Sequence, residues 1–325
     1  NTTGALNLGL TAGATALGNV NVNANATFGS LTVQTNSATA DTITVATGKT
    51  LTIAGNVTVG FDPASTATTV LAITGGGSFA MSGSAATLQI GGATGAVGNT
   101  ATLDMTGLAS ASFNLGTGTV KVANQDGTNV TTNVAALYLP IPSGVTTTTP
   151  VTTFTAASFN VGNSGGYNSI ATPSASVQLG SGLNAFNVAS FNVGTGARDV
   201  GLVAYNASAV NGAFKLRAQD GAGRSALSIG TAGGATSTSG ANMLVDLTGR
   251  PADLLLSSLN VGNQQREGSM AYDFKFDNGT LDTTAVNIGF GTTVYGSTGS
   301  NSPTLAATVT FGGGTVTVGT GAITM

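Results

Sequence analysis

Apolar side chains occupy every second position of this chain in short bursts, and this alternation limits the possible fold more than any other feature. Typical bursts pair Leu31 with Val33 and Leu51 with Ile53, and Gly, Asn or Asp separates one burst from the next. A period of two over about four to six residues is typical of a half-buried β-strand, whereas an amphipathic helix has a period near 3.6. The sequence therefore predicts an all-β protein.

One apolar, polar, apolar, Gly phrase recurs without a fixed interval. Ser-Phe-Asn-Val-Gly stands at residues 158–162 and again at 190–194, and related phrases end at Gly116, Gly262 and Gly289. Strands this short cannot bury their apolar face alone and need neighbours stacked above and below them. We therefore predict a parallel β-helix, or β-solenoid, with loop excursions of variable length, in which Gly turns the chain at the corner after a strand.

The spacing of the corners predicts the length of a coil. The corner glycines that we assign from the phrase are Gly162, Gly194, Gly230, Gly262, Gly289 and Gly319. Their spacing indicates coils of roughly 20 to 35 residues, at the long end of repeat architectures.

The Asn of the repeated phrase has two interpretations. It is either a surface or turn residue, or a member of a ladder in which each Asn side-chain amide forms a hydrogen bond with the next Asn along the axis.

Two interruptions suggest how the chain is divided. Residues 138–155 carry three prolines and a Thr run, which predicts an excursion or linker because proline removes a donor from a sheet. We therefore expect an N-terminal solenoid section over residues 1–137 and a C-terminal section over 156–325.

Fifteen of the 21 charged residues lie in 198–282, where they form either solvated loops or an interface of paired charges.

Composition excludes several classes of function. The chain has no His, Cys or Trp, so imidazole catalysis, thiolate chemistry and the usual zinc and iron–sulfur sites lack their side chains. A net charge of −3 with no basic stripe argues against nucleic acid as a partner. No apolar run is long enough for a membrane-spanning helix. We predict no cofactor.

Two acidic segments are the remaining candidates for chemistry. Asp273 to Thr280, with Asp282, could offer oxygens to Ca²⁺, but the spacing fits no calcium loop. We interpret this segment as a strand in which Phe274 and Phe276 share one face, followed by a hairpin turn at residues 277–279. Asp220, near Arg217 and Arg224, is the best candidate acid for a polysaccharide-active enzyme, yet no spacing marks a carboxylate pair. We predict no enzyme activity and no metal site.

The recurring units resemble a known family. Residues 48–60, Gly-Lys-Thr-Leu-Thr-Ile-Ala-Gly-Asn-Val-Thr-Val-Gly, and residues 257–263, Ser-Ser-Leu-Asn-Val-Gly-Asn, are similar to autotransporter-associated β-strand repeats in large secreted passenger proteins of Gram-negative bacteria. The resemblance implies a right-handed parallel β-helix, export through the cell envelope and an extracellular or cell-surface location. The chain opens without Met or a signal core, so we expect a mature or internal piece of a longer precursor.

These expectations favour a structural extracellular protein, a subunit of a filament, sheath or surface layer that assembles with copies of itself through the solenoid ends. The predicted assembly residues are Leu6, Leu8, Leu10, Val316, Val318 and Ile323. The predicted lateral charged contacts are Arg198, Asp199, Arg217, Asp220, Arg224, Arg250, Arg266 and Glu267. The alternative is a surface adhesin that binds carbohydrate or a host surface.

Overall fold

A computed structural model describes most of the 325-residue chain. The described residues are 4–9, 19–60, 68–92, 99–125, 134–164, 175–195, 200–230, 242–262, 270–289, 305–319 and 323–324. They form strands and turns and no helix, so no helix among them could cross a membrane. The all-β prediction is confirmed.

The strands follow one another along the chain as short segments separated by turns. The first fourteen are β1 (Ala5–Leu8), β2 (Asn19–Val22), β3 (Ala26–Phe28), β4 (Ser30–Val33), β5 (Ser37–Val45), β6 (Thr50–Ile53), β7 (Val57–Val59), β8 (Thr68–Thr74), β9 (Ser78–Met81), β10 (Leu88–Ile90), β11 (Thr100–Asp104), β12 (Ser110–Asn114), β13 (Thr119–Gln125) and β14 (Val134–Tyr138). The others are β15 (Pro150–Ser164), β16 (Ala175–Leu179), β17 (Leu183–Val193), β18 (Gly201–Tyr205), β19 (Ala213–Arg217), β20 (Ser225–Ile229), β21 (Asn242–Asp246), β22 (Ala252–Val261), β23 (Met270–Phe276), β24 (Gly279–Thr283), β25 (Val286–Ile288), β26 (Leu305–Phe311), β27 (Thr315–Val318) and β28 (Ile323–Thr324).

The strands stack in three columns, which confirms the parallel β-solenoid. Column one is the ten-stranded sheet β2-β5-β8-β11-β14-β16-β18-β21-β23-β26. The other eighteen strands form columns two and three, which share one sheet because β15, β17 and β22 run through both. Every pairing between named strands is parallel and joins one coil to the next. The right-handed sense stays a prediction.

Inward side chains stack directly above one another to form a single core. One ladder in column one consists of Leu71, Leu103, Leu137, Val177, Val203, Val245 and Phe274, all essentially inaccessible to solvent. The alternation in the sequence is the direct cause, because successive strand residues point to opposite faces and only one face is covered. Each inward residue of an interior coil therefore packs against its counterparts in the two neighbouring coils.

Seven buried phenylalanines occupy the central coils. They are Phe79, Phe113, Phe154, Phe159, Phe186, Phe191 and Phe214. Phe113 and Phe154 stack with ring centroids 4.2 Å apart, and Phe154 stacks on Phe186 at 5.0 Å. Phe159 meets Phe186 edge to face at 5.1 Å. Offset stacks and edge-to-face pairs are the favourable aromatic geometries, so this cluster adds stability beyond the area that it buries.

At most of the described corners after column three the backbone is left-handed, and Gln34 is an exception. Gly162, Gly194 and Gly230 have φ values of 69°, 62° and 66°, and Ala123 adopts 52° at the equivalent corner without being Gly. Gly319 was wrongly assigned to this series. It follows Val318, which pairs with Thr283 in column two, so Gly319 lies at the corner between columns two and three.

Coil length varies more than the sequence predicts. Leu8 pairs with Val33, 25 positions later, whereas Val122 pairs with Val161, 39 positions later. The longer coil includes the described loop 139–149, which leaves the solenoid between columns one and two. The predicted excursion 138–155 thus covers this loop and the start of β15. The ladders continue past it, since β14 pairs with β16 and β15 with β17; the division into two sections stays a prediction.

The predicted hairpin at residues 277–279 is wrong, although the strand before it is correct. Phe274 and Phe276 are both fully buried on the inward face. However, β23 pairs with β21 and β26, and β24 pairs with β22 and β27, so β23 and β24 never pair with each other. Residues 277–279 form a corner between two columns, because the edges of the neighbouring coils supply better partners than a hairpin would.

The Asn ladder is present on the outer face of column three. The side-chain amide of Asn192 donates to Asn160 Oδ1 at 2.9 Å, and that of Asn287 donates to Asn260 Oδ1 at 2.7 Å. The Asn260 amide also reaches the Ser228 hydroxyl of the preceding coil at 3.2 Å. The ladder interpretation of the Asn in the repeated phrase is therefore confirmed for these residues.

We expect Gly230→Ala to destabilise the fold strongly. A Cβ on Gly230 would lie 2.0 Å from Cδ1 of Tyr272 and would also strain a φ of +66°. Gly249→Ala is the matched control, since Gly249 has φ +73° and nothing within 4 Å of its Cβ position. Chemical denaturation should show a loss of about 1 to 2 kcal/mol for the control and roughly 3 kcal/mol or more for Gly230→Ala. Equal losses would contradict the packing that we describe at this corner.

Candidate functional site

The last described coil exposes apolar side chains that point inward. Its strands β26, β27 and β28 each pair on one side, with β23, β24 and β25. Phe311 and Ile323 are 43% and 58% exposed, and Val316 and Val318 are only partly buried against the core. The predicted assembly residues of this end therefore lie together on one apolar surface, which we call the C-terminal face (Phe311, Val316, Val318 and Ile323).

The first described coil presents a second surface of the same kind. Leu6 packs against the core while partly exposed, and Leu8 is 8% exposed. Strands β1, β2 and β3 each pair on one side in the described residues. We call the outer edge of these three strands the N-terminal face. The predicted residue Leu10 lies outside the described part of the chain.

Two arginines of the charged region, Arg217 and Arg224, bind aspartates in other coils of the same chain. Arg217 in β19 forms an ion pair with Asp253 in β22, with Nη2 2.5 Å from Oδ2, and the hydroxyl of Thr280 donates to Asp253 Oδ1 at 2.9 Å. Partial burial raises the pKa of Asp253, but the hydrogen bonds from Arg217 and Thr280 and the positive charge of Arg217 outweigh it, so the pKa is lowered overall.

Arg224 connects three successive coils. Its guanidinium donates to the backbone carbonyl of Leu256 in the next coil at 3.0 Å. In the coil after that, Nη2 of Arg224 donates to both carboxylate oxygens of Asp282, at 2.9 and 3.0 Å. Both carboxylate contacts come from the single nitrogen Nη2, whereas Nη1 donates to the backbone carbonyl of Asp282 at 3.1 Å. Arg224 therefore links these three coils on their outer surface, where the backbone pairing has set the register.

The other predicted lateral residues have different positions. Asp220 is fully exposed and accepts hydrogen bonds from the backbone N–H groups of Ala222 and Gly223, which lower its pKa. It pairs with neither Arg217 nor Arg224, and the hydrogen bonds that the structure shows for this candidate acid lie within its own turn. Arg250 donates to the carbonyl of Ala209 at 3.1 Å. A role for any of these residues between subunits stays a prediction.

Four further predicted residues, Arg198, Asp199, Arg266 and Glu267, lie outside the described residues. Within the described part, no three acidic side chains come close enough to hold a metal ion. Asp282, one of the acidic residues considered for Ca²⁺, is bound by Arg224 instead.

A polar groove lies on the outer surface where column one ends. Its volume is about 560 Å³, and its main lining residues are Asp104, Thr106, Tyr138, Gln178, Asn206 and Ser208. Sequence reasoning missed it, because these residues are scattered over four coils and meet only through the register of the strands. The available signal was the row of outward-facing polar residues at the ends of consecutive column-one strands.

Comparison with known proteins identifies no relative: no protein-family model, no curated protein and no solved structure matches the chain. The similarity to autotransporter-associated repeats therefore stays a prediction. The class that the structure itself defines is the parallel β-solenoid.

We expect Asp253→Asn to weaken the fold at neutral pH but not in acid. Since the folded-state pKa of Asp253 is lowered below its ordinary value of 3.8, the contribution of the ion pair is complete above that value and is lost as the pH falls through the lowered pKa. Because the pair is partly exposed, the loss of unfolding free energy near pH 7 should be at most about 1 kcal/mol.

The measurement is denaturant unfolding of wild type and variant at several pH values. Asp273→Asn is the control, since Asp273 is also a half-exposed aspartate in a strand. A destabilisation by Asp253→Asn that persists unchanged near pH 2 would show that the ion pair is not its cause.

Proposed function

We propose that this protein is a structural extracellular protein whose copies join end to end into a filament, sheath or surface layer. The observation that carries the proposal is the C-terminal face, where inward apolar side chains and one edge of three strands are exposed. An exposed strand edge with apolar neighbours adds another strand readily, because the incoming strand satisfies the backbone N–H and C=O groups.

A second copy is the occupant that fits this face. The N-terminal face also consists of three strands, one from each column, so backbone ladders and the apolar core could both continue across the junction. No charged residue occurs before Asp41 or after Asp282 in the sequence. Proteins commonly place charged side chains on exposed edge strands, because these charges prevent the edges from pairing with other sheets. Their absence from both faces supports stacking of copies.

The extracellular location and the absence of catalysis belong to the same proposal. The location rests on the similarity of the repeated phrases to secreted passenger repeats. The non-enzymatic role rests on a sequence without His or Cys and on the local hydrogen bonds that occupy Asp220.

Electron microscopy and light scattering at increasing protein concentration test the assembly. We expect rods that lengthen with concentration and that have the axial repeat of one subunit, about 48 Å for the ten coils that the structure describes, at about 4.8 Å each. Purified protein that stays monodisperse and monomeric at high concentration would overturn the proposal.

Charge placed on the C-terminal face should stop assembly. We expect Ile323→Asp to raise the concentration needed for rods at least tenfold, because the carboxylate would be buried without a partner at the junction. Ile323 is 58% exposed, so the fold of the single chain should survive. Thr317→Asp is the matched control, since Thr317 is exposed on the outward face of β27. Equal assembly of both variants would exclude the C-terminal face as the junction.

A further inference from the structure

The groove at the end of column one has a regular axial arrangement of polar groups. Asp104, Tyr138 and Gln178 are direct register partners in three successive coils, and Asn206 extends the row into a fourth. With a rise of about 4.8 Å per coil, the row spans about 14 Å along the solenoid axis. Alanines occupy the same register position in the coils on either side of the row: Ala72 pairs with Asp104, and Ala204 pairs with Gln178.

Hydrogen bonds within the groove hold several of these groups in place. Asp104 Oδ1 accepts from the backbone N–H and the hydroxyl of Thr106, at 2.8 and 2.7 Å. The Asn206 amide donates to Gln178 Oε1 at 2.8 Å, and Asn206 Oδ1 accepts from the backbone N–H of Ser208 at 2.8 Å. A binding site that is organised before the ligand arrives loses less entropy on binding.

Two groups of the row retain hydrogen-bonding capacity. In the described part of the chain, no protein partner engages the amide nitrogen of Gln178 or the hydroxyl of Tyr138. The amide can donate two hydrogen bonds, and the phenol can donate and accept. The ring of Tyr138, next to Ile141 of the same lining, adds an apolar surface. The groove therefore combines an aromatic face with donors and acceptors on neighbouring coils.

The side chains that line the groove indicate which class of ligand it can bind. The described lining contains one carboxylate and no cation, which disfavours anionic polymers such as nucleic acid or acidic polysaccharide. It is also too polar for a purely apolar ligand. A neutral sugar offers hydroxyls that donate and accept together with an apolar ring face, and the volume lies within the range of ordinary ligand sites.

We propose that this groove binds an uncharged, extended polysaccharide chain that lies along the solenoid axis. Tyr138 stacks on a sugar ring, and Asp104, Gln178 and Asn206 bind sugar hydroxyls. The axial direction follows from the row itself, because the coil rise is close to the length of one monosaccharide in an extended chain. The site is separate from both end faces, so this activity goes beyond the proposed assembly and does not depend on it.

Isothermal titration of the full chain with neutral oligosaccharides tests the site. The probes are glucose and N-acetylglucosamine oligomers of one to six units. We expect saturable binding that tightens with length up to three or four units, as the row of four coils requires. Tyr138→Ala should weaken binding about tenfold and Gln178→Ala roughly three- to tenfold, as expected for the loss of one well-formed contact.

Asn187→Ala is the matched control, because it removes an amide from the outward face of column two, away from the groove. It should leave the affinity unchanged. Circular dichroism melts of all three variants check that the fold is retained. The proposal is overturned if no probe binds saturably at millimolar concentration, or if Tyr138→Ala and Asn187→Ala bind a probe equally well.

Discussion

The in-register parallel pairing of each coil on the coil before it is the constraint on which the whole structure depends. Leu103 lies between Leu71 and Leu137 because their strands pair residue by residue, and the same register places Phe154 between Phe113 and Phe186. No strand of this length could bury its apolar face alone. Stability is therefore shared between nearest neighbours along the axis, and it is complete only where a coil has a neighbour on both sides.

The same register arranges the polar surface. Asn192 bonds Asn160 one coil away, Arg224 reaches two coils further along, and the groove aligns Asp104 with Tyr138. Each of these contacts joins residues about thirty or more positions apart in the sequence. The distinctive outer features of the described chain are therefore axial rows, formed by repetition in space and largely independent of what is adjacent in sequence.

Local chemistry explains what the sequence could predict. The alternation at Leu31 and Val33, the shared face of Phe274 and Phe276 and the corner at Gly194 each depend on a few consecutive residues. The errors arose where one local pattern serves two structures. Asp277-Asn278-Gly279 suits a hairpin and a solenoid corner equally, and only the edges of neighbouring coils decide between them. The groove could not be predicted from the sequence for a related reason: the lengths of the loops determine which outward residues of successive coils become neighbours.

The distribution of aromatic side chains has a mechanical consequence. The seven clustered phenylalanines lie in the central coils, whereas the terminal coils contribute the partly exposed Phe28 and Phe311 beside aliphatic groups such as Val20, Val22, Val316 and Val318. Under tension or heating, such a molecule should fray from its extremities while its middle stays rigid. In the filament that we propose, stiff and compliant zones would then alternate, and the filament would break at the junctions between subunits and leave the subunits intact.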